Sequence, residues 1–351
     1  MADGRAFRTG TLFAIAAGVA FGVTAPLTQR FGRGLGPFAT AGLLYLGAAL
    51  PSTFGRRRGT EAAVRVAHLP RLGVAALAGA FVAPVCLSYG LQRAAGTAAS
   101  LMLNLEGVFT LLLAVWLLRE HAGKRVVAGI IAMLAGGFVL VLGSEPSKAG
   151  SWLGLVAVAL ATLGWAFDNV TLRPLADLDP ASVVFLKSSA GVLLSFGASL
   201  AFREAAPKPA AAAALVACGA TGYGLSLRLY LLAQRRIGAG RTGSLFALAP
   251  FAGALVAWAL GQGTLGPTTL AAALLFVLGA YLHATEQHSH RHTHVVVEHE
   301  HAHRHDDGHH EHVHDPPVAG EHSHPHRHEP VTHEHPHAPD LHHAHRHSGS
   351  P

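Results

Sequence analysis

The sequence predicts an all-α integral membrane protein: ten transmembrane helices in two inverted five-helix repeats, followed by a disordered tail. Half of the 351 residues are hydrophobic and only 13% are charged, whereas a soluble domain carries about a quarter charged residues. Ten apolar segments follow one another, most near the roughly 20 residues that cross a hydrocarbon core as a helix. Residues also recur at one spacing, since Gln92 and Gln234, Trp116 and Trp258, and Gly137 and Gly279 each stand 142 residues apart.

The apolar segments cover residues 9–28, 35–54, 70–91, 97–118, 126–142, 151–172, 181–202, 210–232, 241–260 and 265–284, with Gly, Pro and Arg between them. The first follows Arg5 and Arg8 but is too long for a secretion signal, so it reads as a retained helix. Between the fifth and sixth lies GSEPSKAG, residues 143–150, a polar turn rich in helix breakers. The expected organisation is therefore a first repeat over 1–142, a linker over 143–150, a second repeat over 151–285 and a tail over 286–351. Five spans is an odd number, so the second repeat enters the membrane inverted, as in many secondary transporters with a midplane site.

Alternate loops differ in charge. One set holds Arg5, Arg8, Arg56, Arg57, Arg58, Arg65, Arg71, Arg119, Lys124, Arg125, Arg173, Arg235, Arg236 and Arg241; the other holds only Arg30, Arg33, Arg93, Lys148, Arg203 and Lys208. The richer set marks the cytoplasm, which puts both termini inside and the protein in a bacterial-type inner membrane. Basic residues confined to short loops, with no aromatic-basic platform, argue against nucleic acid. Cys86 and Cys218 lie in apolar runs and read as small packing residues rather than a disulfide or metal site.

One stretch stands out. Ser100 to Glu120, SLMLNLEGVFTLLLAVWLLRE, carries Glu106 inside a membrane-length apolar run, and Ser244 to Gln262, SLFALAPFAGALVAWALGQ, is a near copy with Ala249-Pro250 in place of Glu106-Gly107. The run LSYGLQRAAGTAASLMLNLEGVFTLLLAVWLLRE followed by GIIAMLAGGFVLVLG resembles the first repeat of the drug/metabolite transporter superfamily, EamA type. LYLLAQRRIGAGRTGSLFALAPFAGALVAWALGQ followed by LFVLGAYL resembles the second repeat. The likeness covers residues 9–285 and implies a transporter of small metabolites, in some branches of metallophores or cations. Two departures stand: Glu106-Gly107 replaces the usual Glu-Pro step, and Arg119-Glu120 and Gly261-Gln262 replace the usual Gly-Glu. Gly107 still supplies flexibility.

A charge inside a membrane segment is costly and faces a bundle interior or a wet cavity. Glu106 reads as a substrate or coupling carboxylate, or equally as a structural hydrogen-bonding group. Asn104 lies about 160° from it around a helix and does not share its pocket. Asp168 and Asn169 in the sixth segment, Lys187 in the seventh and Arg228 in the eighth complete the candidate set. A buried charge needs a partner, so Asp168 is expected to pair with Lys187 or Arg228, as a gate or as a static anchor. Trp165, Tyr89, Tyr223 and Tyr230 read as interfacial belt residues more readily than as cavity lining.

The tail holds 23 of the 26 histidines. They cluster as His288, His290, His292, His294; His299, His301, His303, His305; His309, His310, His312, His314; His322, His324, His326, His328; His333, His335, His337; and His342, His343, His345, His347. Little here can bury a core, so disorder is expected. Histidines at i and i+2 of an extended chain face one side and suit zinc, nickel, cobalt or copper. A cofactor for the bundle is not implied. No phosphate-binding Gly-x-x-x-x-Gly-Lys-Ser/Thr run is present, and the spans carry neither a nucleophile-base pair nor His-Glu-x-x-His, so neither direct ATP coupling nor an enzyme is expected. The expected activity is secondary transport, with export favoured, of a divalent transition metal or a metal-chelating metabolite captured by the tail. The alternatives are an organic-metabolite or amino-acid exporter with a buffering tail, and a membrane-anchored metal store or sensor. The bilayer, the solute and optionally a second copy in a homodimer are the partners.

Overall fold

Helices occupy all ten expected segments in the computed structural model, which describes residues 2–54, 62–118, 123–143, 151–175, 178–237, 239–284, 288–293, 297–303, 322–328 and 332–337. The first span is α1 (Ala2–Gly22) with α2 (Thr24–Phe31), and the second is α3 (Pro37–Phe54). The third joins α4 (Leu69–Ala75), a π-helical turn Ala76–Val82 and α5 (Ala83–Leu91). The fourth is α6 (Gly96–Met102) with α7 (Leu105–Leu118), and the fifth is α8 (Lys124–Leu142). In the second repeat, α9 (Ser151–Leu172) and α10 (Pro180–Ala201) come first; α11 (Pro209–Gly219), a π-helical turn Ala220–Leu225 and α12 (Ser226–Ile237) form the eighth span. The last two are α13 (Ala239–Phe246) with α14 (Ala249–Ala259), and α15 (Pro267–Ala284). Among the described residues, seven helical stretches are long and apolar enough to cross a membrane, while Ala249–Ala259 and Pro267–Leu282 are shorter apolar helices.

The breaks have local causes. Pro26 has no N–H, and its ring crowds the carbonyl four residues back; α1 ends at that residue, Gly22. Pro84 stands in the same relation to Ala80, inside the first π-helical turn. Spans four and nine both interrupt their helices with bonds reaching three residues back, Leu103 N–H to the Ser100 carbonyl and Leu248 N–H to the Leu245 carbonyl, each 3.3 Å. Pro250 follows the second break. At the first, where the usual proline is missing, Asn104 Nδ2 donates to the Leu101 carbonyl at 2.9 Å, a side-chain bond that competes with the helix ladder.

The principal helix contacts reveal a two-fold relation. Span two packs on seven, four on nine and five on ten, while one packs on eight as three packs on six. Advancing every span number by five, counted cyclically, reproduces this set, as two equivalent repeats require. Close approach rests on small residues: a Cβ at Gly22 would meet the Ala249 backbone, and one at Gly253 would sit 2.5 Å from the Gly22 carbonyl oxygen. Leu87, Leu91, Leu101, Met102, Leu155, Val158 and Phe276 form the main core. Large apolar side chains such as Trp116, Phe138, Leu200 and Leu274 point outward, where hydrocarbon accepts them without penalty.

Four short strands are described within the tail. Strand β1 (His288–Thr293) pairs antiparallel with β4 (Thr332–His337), and β2 (Val297–His303) with β3 (His322–His328). The alternation His-x-His has the two-residue period of a strand. The register sets His288, His290 and His292 against His337, His335 and His333, and His299, His301 and His303 against His326, His324 and His322. Glu120, nearly all of the 143–150 linker and the remaining tail histidines, His294, His305, His309, His310, His312, His314, His342, His343, His345 and His347, lie outside the described residues.

Candidate functional site

Glu106 sits in the first turn of α7, immediately after the break in span four, where free backbone N–H groups favour a carboxylate. Protein surrounds it, yet its side chain keeps accessible surface, so it lines an opening within the bundle. Asn169 on α9 donates from Nδ2 to Glu106 Oε1 at 3.0 Å. Asn104 is buried and committed to the Leu101 carbonyl, so it stays out of this site, as its helical position required.

One residue before Asn169, Asp168 accepts a hydrogen bond from Lys187 Nζ through Oδ2. The Asp168 side chain is 3% exposed and that of Lys187 16%. Of the two partners the sequence offered, Lys187 is the one used; Arg228 lies exposed on α12 and is not brought to Asp168. The physical reason is position, because a side chain at 187 projects from the span that flanks the first π-helical turn, against which α9 also packs. Asp168 Oδ1 is buried without a hydrogen-bond partner.

That turn is built around Gly79. A Cβ at position 79 would fall on the Asp168 carboxylate, so glycine makes room for the acid. The Gly79 carbonyl accepts two hydrogen bonds, from Tyr45 OH at 2.5 Å and from Trp165 Nε1 at 3.0 Å. A π-helical turn leaves a carbonyl free of its usual partner, and both aromatic donors take it. Tyr223, from the π-helical turn of the other repeat, completes a ring cluster, with centroids 5.6 Å from Tyr45, 6.2 Å from Trp165 and 6.1 Å from Phe21. Trp165 and Tyr223 are therefore interior residues rather than belt residues. Tyr230 instead meets Phe246 at 5.0 Å, and Tyr89 lies 3.6 Å beneath the Arg93 guanidinium. Tyr45, Phe21 and Gly79 carry no flag in the sequence beyond the lone hydroxyl that Tyr45 brings to an apolar run.

At the end of the bundle opposite the start of α1 and the end of α15, two glutamines tie spans to one another. Gln29 Nε2 donates to the Leu91 and Ala94 carbonyls at 2.5 and 2.9 Å. Gln262 Nε2 donates to the Pro26 carbonyl at 2.8 Å, while Gly96 N–H donates to the Gln262 backbone carbonyl at 2.6 Å. Spans one, three, four and nine are thus tied together on that side. Among the described residues no group of three or more His, Cys, Asp or Glu is arranged to hold a metal ion.

Comparison with known proteins settles the family. The pattern of the EamA-like transporter family matches residues 8–142 and again 152–285. The chain belongs to the EamA-like transporter family. As such it is an integral membrane transporter of the EamA type. This EamA-like protein is also similar to an uncharacterized transporter of Methanothermobacter thermautotrophicus, with 27% identity over 269 residues that cover 71% of this chain and 78% of the relative. A crystal structure, described only as that of a protein, shares the fold with a TM-score of 0.56 and 22% identity, covering 79% of this chain and 96% of the other.

Proposed function

We propose that this EamA-like protein is a secondary exporter of a small metabolite, free or as its metal chelate, bound at Glu106 and Asn169, with a His-rich tail that captures divalent transition metal. The observation that carries the proposal is the 3.0 Å bond between Asn169 and Glu106, which joins the two repeats at an open interior position just beyond a helix break. Discontinuous helices at a repeat interface are where transporters bind solute. Asp168 and Lys187 stand beside it as an ion pair whose rearrangement would accompany a change of state.

Direct passage of a bare metal ion is the second reading, and the tail favours it. Its paired strands set histidine against histidine over most of their register, and imidazole suits zinc, nickel, cobalt or copper. Against it, the described membrane residues offer no three-ligand group. Flux of zinc, nickel and cobalt into proteoliposomes decides between the two, using the full chain and a chain ending at Glu286. The proposal expects metal retained by the tail and no bare-metal flux in either. Metal flux that persists without the tail and is lost in Glu106→Gln would overturn it in favour of the second reading.

A further inference from the structure

Arg228 brings a charge to a helix surface where the bundle offers it no counter-charge. It lies two residues inside the apolar helical stretch Pro209–Tyr230, one of the seven long enough to cross a membrane. Its side chain is exposed and, among the described residues, meets no hydrogen-bond or ion-pair partner. The inward side of α12 is set by Ser226, whose hydroxyl donates to the Ala17 carbonyl at 2.8 Å, by Ala233 and Ile237 packed with Ala14, and by Tyr230 against Phe246 of α13. At about 100° per residue, Arg228 stands roughly 200° from Ser226. It therefore points away from α1 and α13, the helices against which α12 principally packs.

The same outward side carries a second guanidinium. Leu225, Arg228, Leu232 and Arg236 follow at steps of three and four residues, the spacing of one helix face. Arg236 is also exposed; its Nη1 donates back to the Leu232 carbonyl at 3.2 Å, and its guanidinium covers the Phe13 ring at 4.8 Å. It thus turns toward Arg228, and the two charges bracket Leu232. Toward the middle of the span the surface becomes apolar, with Leu225 and Leu227 both exposed. The carboxylates among the described side chains are engaged elsewhere: Glu106 by Asn169, Asp168 by Lys187, Asp179 at the start of α10 and Glu204 at the start of α3. An arginine at a span end extends its head toward the lipid phosphates while its stem stays in the apolar layer.

We infer that this face of α12 holds an anionic phospholipid, its phosphate between Arg228 and Arg236 and its acyl chains along Leu225. Two guanidiniums give a phosphate several charge-assisted donors, and the switch from charged to apolar side chains along the face matches a lipid from headgroup to chain. The test is native mass spectrometry of the full-length protein in detergent, titrated with dioleoyl phosphatidylglycerol, with dioleoyl phosphatidylcholine, and with glycerol 3-phosphate as a headgroup without chains. Phosphatidylglycerol should be retained well below the concentration at which the other two are. Its retention should weaken about fivefold in Arg228→Gln and in Arg236→Gln, and further in the double variant. Arg228→Lys and Arg236→Lys, which keep the charge, should retain most of it. Lys124→Gln with Arg125→Gln, a charge-matched pair exposed at the start of α8, should leave it unchanged. Equal retention of phosphatidylcholine or glycerol 3-phosphate would overturn the inference, as would unchanged phosphatidylglycerol binding in the double arginine variant or an equal loss in the Lys124 and Arg125 control. Arginine-dependent binding seen only in a chain ending at Glu286 would assign the face to the tail instead and overturn it as well.

Discussion

Replacing Asp168 with asparagine should destabilise the bundle through Lys187. The lysine side chain is 16% exposed and its partner 3%, so in Asp168→Asn an ammonium remains inside the membrane body without its counter-charge. Removing one member of a buried pair costs about 3–5 kcal/mol, whereas replacing both members with apolar groups is often neutral. Glu106 is close enough to take over part of the lysine charge, which puts the expected loss near the lower figure. At roughly 2–4 °C per kcal/mol for a chain of a few hundred residues, the melting temperature falls by about 6–12 °C. Asp168→Asn combined with Lys187→Met should recover most of that loss. Gly79→Ala should lower stability in the same direction, since its Cβ displaces the carboxylate. The assay is intrinsic-fluorescence melting in nanodiscs for wild type, both single variants and the double variant. A melting temperature for Asp168→Asn within about 2 °C of wild type, or a double variant no better than the single, would refute a buried pair at this position.

Other perturbations follow from the same contacts. Gln262→Leu removes the donor to the Pro26 carbonyl and leaves a buried acceptor unpaired, so melting should show a loss of about 1–3 kcal/mol. The two glycines of the helix breaks should respond oppositely. Gly22→Ala drives a Cβ into the Ala249 backbone and should destabilise, whereas Gly107 has open space around it, so Gly107→Ala should be neutral or gain up to about 1 kcal/mol by helix propensity. Zinc bound by the full chain should fall away in a chain ending at Glu286. The same binding should weaken as pH drops below about 6.5, because only neutral imidazole ligates metal; retention at pH 5 would contradict histidine ligation.

How much of this was legible beforehand depended on the range of each contact. Hydropathy and a 142-residue spacing are periodic signals, and the ten helices and their two-fold packing followed them. The Asp168 ion pair was legible as a choice of two partners, since a buried acid demands a cation, but geometry chose Lys187 over Arg228. Contact between Glu106 and Asn169 was not legible, because it joins residues 63 apart in different repeats. Nor were the two π-helical turns, whose register shift depends on how Pro84 and the glycines near 220 pack rather than on composition. Trp165 and Tyr223 looked like interfacial aromatics; only the Gly79 carbonyl, exposed by such a turn, explains why the Trp165 indole is inside. Strand pairing within the tail followed the two-residue period of its histidines, a pattern visible in the sequence but set against a composition that favours disorder.

Release of solutes from proteoliposomes tests the central claim most directly. Vesicles carrying wild type, Glu106→Gln or a chain ending at Glu286 would be loaded with a bacterial metabolite extract, and the external medium followed by mass spectrometry. The account predicts that at least one small solute leaves vesicles carrying wild type or the shortened chain and is retained with Glu106→Gln. Equal release with Glu106→Gln, or no release by folded wild type, would contradict it.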